Sequence, residues 1–153
     1  MEVKYAATMD IYSFQGKEWN CNHPFYEHLR EGRLTTTACN DCGMKSYPPR
    51  VICPECLSEN LEWVDLPTQG KVLVVSEKVE GVPLGFESPL ILALIDLGEE
   101  FKLVVRITGV KMGELKKGDE VKLHVYPVNP MPVESKNGAI FMQERVFYAF
   151  TKV

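Results

Sequence analysis

The sequence predicts a mainly β protein in which a short helix and a metal-held ribbon precede a five-stranded barrel. Three observations carry that prediction. Two Cys-x-x-Cys pairs, Cys39/Cys42 and Cys53/Cys56, stand in the first half of the chain. The extended pieces around them are too short to bury much area, which is the setting in which a metal replaces a core. From Gly70 onward, segments rich in β-branched and aromatic residues alternate with Gly, Pro and charged turns.

In chain order, residues 1–22 show no period and carry four aromatics, Tyr5, Tyr12, Phe14 and Trp19. They read as an extended arm that docks either on its own domain or on a partner, because so much aromatic surface is costly to leave in water. A helix is expected over Pro24–Glu31. Asn22 is placed to cap it, Pro24 suits the first helical position, Phe25 and Leu29 share one face, and Gly32 suits a left-handed C-terminal cap. Leu34–Thr37, a Pro-interrupted Ser46–Val51 and Leu61–Val64 read as short strands. The barrel strands are expected at Lys71–Lys78, Leu90–Leu97, Phe101–Thr108, Glu120–Tyr126 and Ile140–Phe150. Leu90–Leu97 is almost wholly apolar and reads as a central strand covered on both faces. Leu97-Gly98-Glu99-Glu100 reads as a tight hairpin, Met112–Leu115 as a helical turn, and Asn129–Gly138, with two prolines, as a long loop. Five strands with a small helical element between the third and fourth match an OB-fold, and they also fit a sandwich or an SH3-like barrel. The implied division is an N-terminal arm over 1–22, helix and zinc ribbon over 23–66, and an OB-fold domain over 67–153.

Composition narrows the function classes. At 153 residues, with 45% hydrophobic and 25% charged residues, the chain is an ordinary globular protein and not a disordered one. A net charge of −4 gives no sign of the basic face that phosphate-neutralising proteins carry. No run of about 18 apolar residues is present, so no membrane span is expected. The start, Met-Glu-Val-Lys-Tyr, lacks the pattern of a secretory signal, which makes a cytoplasmic location the default. Cysteines stay reduced there, and closely paired ones more often mean metal than disulfide.

The spacing Cys39-x2-Cys42-x10-Cys53-x2-Cys56 presents four thiolates to one tetrahedral ion, with each sulfur about 2.3 Å from zinc. Gly43 allows the tight turn that aims backbone N–H groups at sulfur, and Pro54 stiffens the second knuckle. Iron is the rival metal, because Cys-x-x-Cys-Gly resembles a rubredoxin knuckle. The second knuckle, however, has Leu57 where such a Gly would stand, and the x10 separation is short, so zinc is preferred. Four thiolates leave no open coordination position, so one structural zinc per chain is expected and no catalytic metal. Cys21 is expected to be a packed thiol at the helix start, and His28 and His124 to be surface or packing histidines. No Gly-x-Ser-x-Gly elbow, phosphate-cradling Gly-x-x-x-x-Gly-Lys or dinucleotide-type Gly-x-Gly-x-x-Gly occurs, and Glu99-Glu100 falls in a turn. No catalytic residue is assigned.

The order of features also carries a resemblance. The helix ends at Glu31-Gly32-Arg33-Leu34. The ribbon follows with Cys39-x2-Cys42-Gly43 and Pro48-Pro49-Arg50-x2-Cys53-Pro54-x-Cys56, then Trp63, and then Gly81-Val82-Pro83-Leu84-Gly85-Phe86-Glu87-Ser88-Pro89 between the first two barrel strands. Over roughly residues 22–150 this resembles the zinc-ribbon/OB-fold proteins of acyl-CoA metabolism, small non-catalytic partners of thiolases and hydroxymethylglutaryl-CoA synthases. The aromatic arm resembles that of members serving benzoylsuccinyl-CoA thiolysis in anaerobic toluene degradation. The resemblance implies an accessory subunit in a hetero-oligomer with a thiolase-fold catalytic subunit. It also implies coenzyme A or acyl-CoA as a shared ligand, with Arg50, Leu84 and Phe86 as contacts to coenzyme A or the partner.

Two other classes remain open from the residues alone. Phe101, Lys102 and Arg106 on one strand would suit a single-stranded nucleic-acid module, although two cations in an acidic chain are few. A rubredoxin-like electron carrier would hold iron and be coloured.

Overall fold

The computed structural model describes residues 11–153. Tyr5, and with it the first part of the expected arm, lies outside the described residues. The described residues form one helix, α1 (His23–Arg30), and eight strands: β1 (Leu34–Cys39), β2 (Lys45–Ser46), β3 (Leu61–Leu66), β4 (Gln69–Lys78), β5 (Leu90–Asp96), β6 (Lys102–Thr108), β7 (Glu120–Glu134) and β8 (Ile140–Lys152). Strands β1–β3 make a three-stranded sheet in the order β2-β1-β3, and the other five close a barrel in the order β4-β5-β6-β8-β7. Within the barrel β6 and β8 run parallel, with Ile107 opposite Phe150. That order is the OB-fold's, so of the three architectures compatible with five strands this one is realised. Contacts divide the chain into two compact units. Among the described residues, one holds 11–13, Thr68–His124 and Ala149–Val153, and the other holds Phe14–Pro67 and Val125–Tyr148.

In the first unit the barrel interior follows the strand period of two. Ile91, Ala93 and Ile95 of β5 point inward beside Leu103, Val105 and Ile107 of β6, all buried. The outward residues Leu92 and Leu94 are only half-buried. Strand β5 is therefore fully covered on one face, not on both. Leu94 pairs with Val74 and Val104, which are 58% and 69% exposed, so the outer face keeps an apolar row open. The hairpin after β5 is as expected: Gly98, Glu99 and Glu100 all have positive φ, and the Phe101 N–H donates to the Gly98 carbonyl at 2.9 Å. Met112–Leu115 forms a turn and not a helix. Gly70 sits where β4 crosses β5 so closely that an added Cβ would lie 2.7 Å from the Asp96 carbonyl oxygen. Gly70→Ala is expected to cost about 1–3 kcal/mol, since a backbone acceptor cannot step aside. Urea unfolding measures this directly, and an unchanged midpoint would refute it.

In the second unit, α1 buries Phe25, Tyr26 and Leu29. Its C-terminus closes as predicted at Gly32 (φ 76°): the Arg33 N–H donates to the His28 carbonyl and the Gly32 N–H to the Leu29 carbonyl, both at 2.9 Å. The N-terminus differs from expectation. Asn22 makes no side-chain cap: its Nδ2 donates to the Pro49 carbonyl at 2.9 Å, and its buried Oδ1 accepts no hydrogen bond among the described residues. The expected Ser46–Val51 strand shrinks to Lys45–Ser46, since Pro48 and Pro49 have no N–H for a ladder. The expected loop Asn129–Gly138 is mostly strand, with β7 running to Glu134. Prolines are tolerated where a strand's N–H groups face away from its neighbour. Only a short turn remains, closed by the Ser135 N–H on the Ala139 carbonyl at 2.8 Å. The described arm residues of this unit dock on the same hairpin. The Gln15 side chain is 3% exposed and bonds both the carbonyl and the N–H of Val146, at 2.6 and 3.0 Å. Phe14 and Trp19 stay exposed beside one another, with ring centroids 5.8 Å apart. Arg145 of β8 is buried and donates from Nε and Nη2 to the Asn129 carbonyl at 3.0 and 2.8 Å. Among the described residues no helix is long and apolar enough to cross a membrane.

Candidate functional site

The ribbon places Cys39 at the end of β1 and Cys42 in the turn before β2, with Cys53 and Cys56 in the loop between β2 and β3. All four Sγ atoms lie within 4.8 Å of one another, and the Cys39–Cys56 and Cys42–Cys53 pairs stand 3.5 Å apart. A tetrahedron with arms of about 2.3 Å has edges of about 3.8 Å, so the four sulfurs fit a zinc ion with little adjustment. Each knuckle is locked by the same two hydrogen bonds. The Gly43 N–H donates to the Cys39 carbonyl, and the Cys39 N–H to the Met44 carbonyl. The Leu57 N–H donates to the Cys53 carbonyl, and the Cys53 N–H to the Ser58 carbonyl, all at 2.9–3.0 Å.

The backbone is built for thiolates. The Cys42 N–H, aided by that of Asp41, pulls the Cys39 thiol down to about 7, and the Cys56 and Glu55 N–H groups likewise lower Cys53. Cys42 receives the Met44 N–H and Cys56 the Ser58 N–H, yet both are raised, Cys42 to about 12, because each thiol keeps its proton in a hydrogen bond to a neighbouring cysteine sulfur, Cys42 to Cys53 and Cys56 to Cys39, and both are partly desolvated. A divalent cation takes the place of those shared protons, and with four sulfur ligands it has no open position for chemistry. Cys39, Cys42, Cys53 and Cys56 would hold it and supply a fold staple.

The remaining sequence-predicted residues divide between the two units. Arg50 has an exposed side chain on a fixed backbone: its N–H donates to the Thr37 hydroxyl, and that hydroxyl donates to the Arg50 carbonyl, both at 2.9 Å. Among the described residues its guanidinium makes no ion pair. In the barrel unit Leu84 is 65% exposed, while Phe86 is half-buried under the Arg106 guanidinium, 5.1 Å from the ring centroid. Arg106, the cation that a nucleic-acid surface would offer to phosphate, thus already covers an aromatic ring of its own chain. Cys21 is exposed, not packed, because it lies in the turn before α1 and off the helix's apolar face. His28 is a packing residue, with its Nδ1 2.9 Å from the Thr35 hydroxyl and its ring edge-on to Trp63. The docking role of Gln15 had no local sequence signal, since its partner lies 131 residues away.

Comparison with known proteins agrees with this layout. A family model described as the ChsH2 rubredoxin-like zinc ribbon domain matches residues 27–62. A DUF35 domain-containing scaffold protein of Pyrococcus furiosus is 36% identical over 102 residues, covering 65% of this chain and 74% of that protein. The benzoylsuccinyl-CoA thiolase subunit BbsA of Thauera aromatica is 32% identical over 87 residues, covering 57% of this chain and 59% of BbsA. Among solved structures, one titled Ltp2-ChsH2(DUF35) aldolase superposes with a TM-score of 0.60 at 23% identity, over 86% of this chain and 93% of that one, and shares the fold. This chain belongs to the DUF35 family of zinc-ribbon scaffold proteins.

Proposed function

We propose that this protein is a non-catalytic accessory subunit of a thiolase-type acyl-CoA acyltransferase complex. In this reading it scaffolds a thiolase-fold catalytic partner in a hetero-oligomer and helps form that partner's coenzyme A channel. The observation that carries the reading is the match to BbsA, a protein named as a subunit of a thiolase, by a chain whose four ribbon thiols all face one metal position. The apolar row Val74–Leu94–Val104 and the exposed Leu84 give the barrel unit surface to lend to a partner. Arg50 offers to a phosphate of coenzyme A a guanidinium that makes no ion pair among the described residues, while Leu84 and Phe86 offer apolar surface to the pantetheine arm. The proposed reaction is benzoylsuccinyl-CoA thiolysis in anaerobic toluene degradation, with coenzyme A as the shared ligand.

The experiment is a pull-down of the tagged chain from its native cells, followed by assay of the eluate for coenzyme A-dependent thiolytic cleavage. A stoichiometric partner carrying that activity is expected, with Arg50→Ala raising the KM for coenzyme A about ten-fold while kcat holds. Recovery of the zinc protein alone would overturn the accessory-subunit reading. An unchanged KM in both Arg50→Ala and Phe86→Ala would overturn the channel assignment.

A further inference from the structure

The two zinc knuckles are built alike but end differently. Gly43 and Leu57 occupy equivalent positions, each donating its N–H to the carbonyl of its knuckle's first cysteine, and each takes a left-handed backbone with φ of 77° and 62°. Glycine adopts that conformation freely, whereas a leucine is strained in it. Nothing in the ribbon compensates, for Leu57 is 75% exposed. A strained, solvent-facing leucine at a position where glycine serves the sister knuckle points to a use outside the ribbon. Its surroundings agree. Val51 and Ile52, in the same loop between β2 and β3, are 55% and 45% exposed, and Met44, the residue after Gly43, is 39% exposed. The segment Val51–Asp65 contains no Lys or Arg and exposes Glu55, Glu59 and Glu62.

We infer that the second zinc knuckle is a docking tip: Leu57, supported by Val51 and Ile52, inserts into an apolar recess on the catalytic partner, and cations rim that recess against Glu55 and Glu59. This deepens the accessory-subunit reading and rests on it. A buried anchor with a charged rim divides the labour in the usual way, the apolar residue setting how long the complex lasts and the rim charges how fast it forms.

The test uses the full-length zinc protein and the thiolytic catalytic subunit that co-purifies with it, separated and retitrated. Leu57→Gly and Leu57→Asn both suit the left-handed backbone, so zinc content and thermal midpoint are expected to match or exceed wild type. Affinity for the catalytic subunit is expected to fall about ten-fold or more, mostly through faster dissociation. The double variant Glu55→Lys/Glu59→Lys is expected to slow association and to flatten its salt dependence. Wild-type affinity in both Leu57 variants would overturn the docking tip while leaving the accessory-subunit reading intact. Loss of zinc or a lower midpoint in those variants would also overturn it, by making Leu57 a structural residue. Failure of the wild-type chain to recover any thiolytic subunit would sink both.

Discussion

Chelating the zinc, or replacing Cys53 by Ser, is expected to unfold the ribbon cooperatively while the barrel strands keep their amide protection. The reason lies in what the ribbon buries. Every residue of β1, Leu34–Cys39, is buried, yet three of the six are threonines, with Thr35 and Thr36 at 0% exposure. Their hydroxyls are satisfied locally: Thr35 by His28, Thr36 by the Ser46 carbonyl and Thr37 by the Arg50 backbone. Such bonds net only about 1 kcal/mol each and add little apolar burial. Leu34, Ala38 and Leu66 supply too little area to offset the ordering of the long connection from Ser46 to Leu61. A structural zinc contributes about 10–16 kcal/mol of apparent binding energy, which becomes folding energy. Hydrogen exchange of β1 and β3 should therefore rise to unfolded rates on zinc loss, while β5 and β6 stay protected. Acid should act in the same direction, because all four thiols must be deprotonated to bind and falling pH returns those protons. Persistent protection of β1 after stoichiometric zinc removal would show that the ribbon has a sufficient core of its own.

How much of this was legible from the residues depends on the range of the interaction. The metal site was readable because its signal is local, two Cys-x-x-Cys pairs whose spacing alone sets the sulfurs on one ion. The helix stop at Gly32 was readable for the same reason, since only a residue tolerant of positive φ closes that cap. The β7 extension was not, because Pro130 and Pro132 are turn signals in isolation and become strand residues only where their missing N–H groups face no neighbour. Asn22 fits a cap by type, but its side chain is oriented by a carbonyl 27 residues away, to which its Nδ2 donates. Strand β5 has the composition of a two-sided core strand, and the exposure of its neighbours Val74 and Val104 is set by cross-strand register, which no single strand encodes. Leu57 was visible as a departure from the glycine pattern, while its strain and exposure appear only in three dimensions.

Phe150→Ala is the core substitution expected to cost the most, about 3–5 kcal/mol. Phe150 stands at 0% exposure in β8, the strand whose parallel pairing with β6 closes the barrel, and its nearest equals in burial are Val72, Ile95 and Val121, all at 1% or less. A small barrel has no spare layer to collapse into the space left by a phenyl ring, so the cavity term adds to the lost transfer energy. Domains of this size hold about 5–15 kcal/mol in total, so the substitution removes a large share of the barrel's margin. The expected result is a barrel transition about 10 °C lower, with zinc still bound at one equivalent, because the cysteine knuckles close on their own sequence neighbours. Phe150→Leu, which keeps most of the volume, should cost less than half as much. If Phe150→Ala instead released zinc before the barrel lost protection, the ribbon would depend on the barrel for its fold. If the midpoint moved by less than about 2 °C, the closure by β8 would not be where the barrel's stability resides.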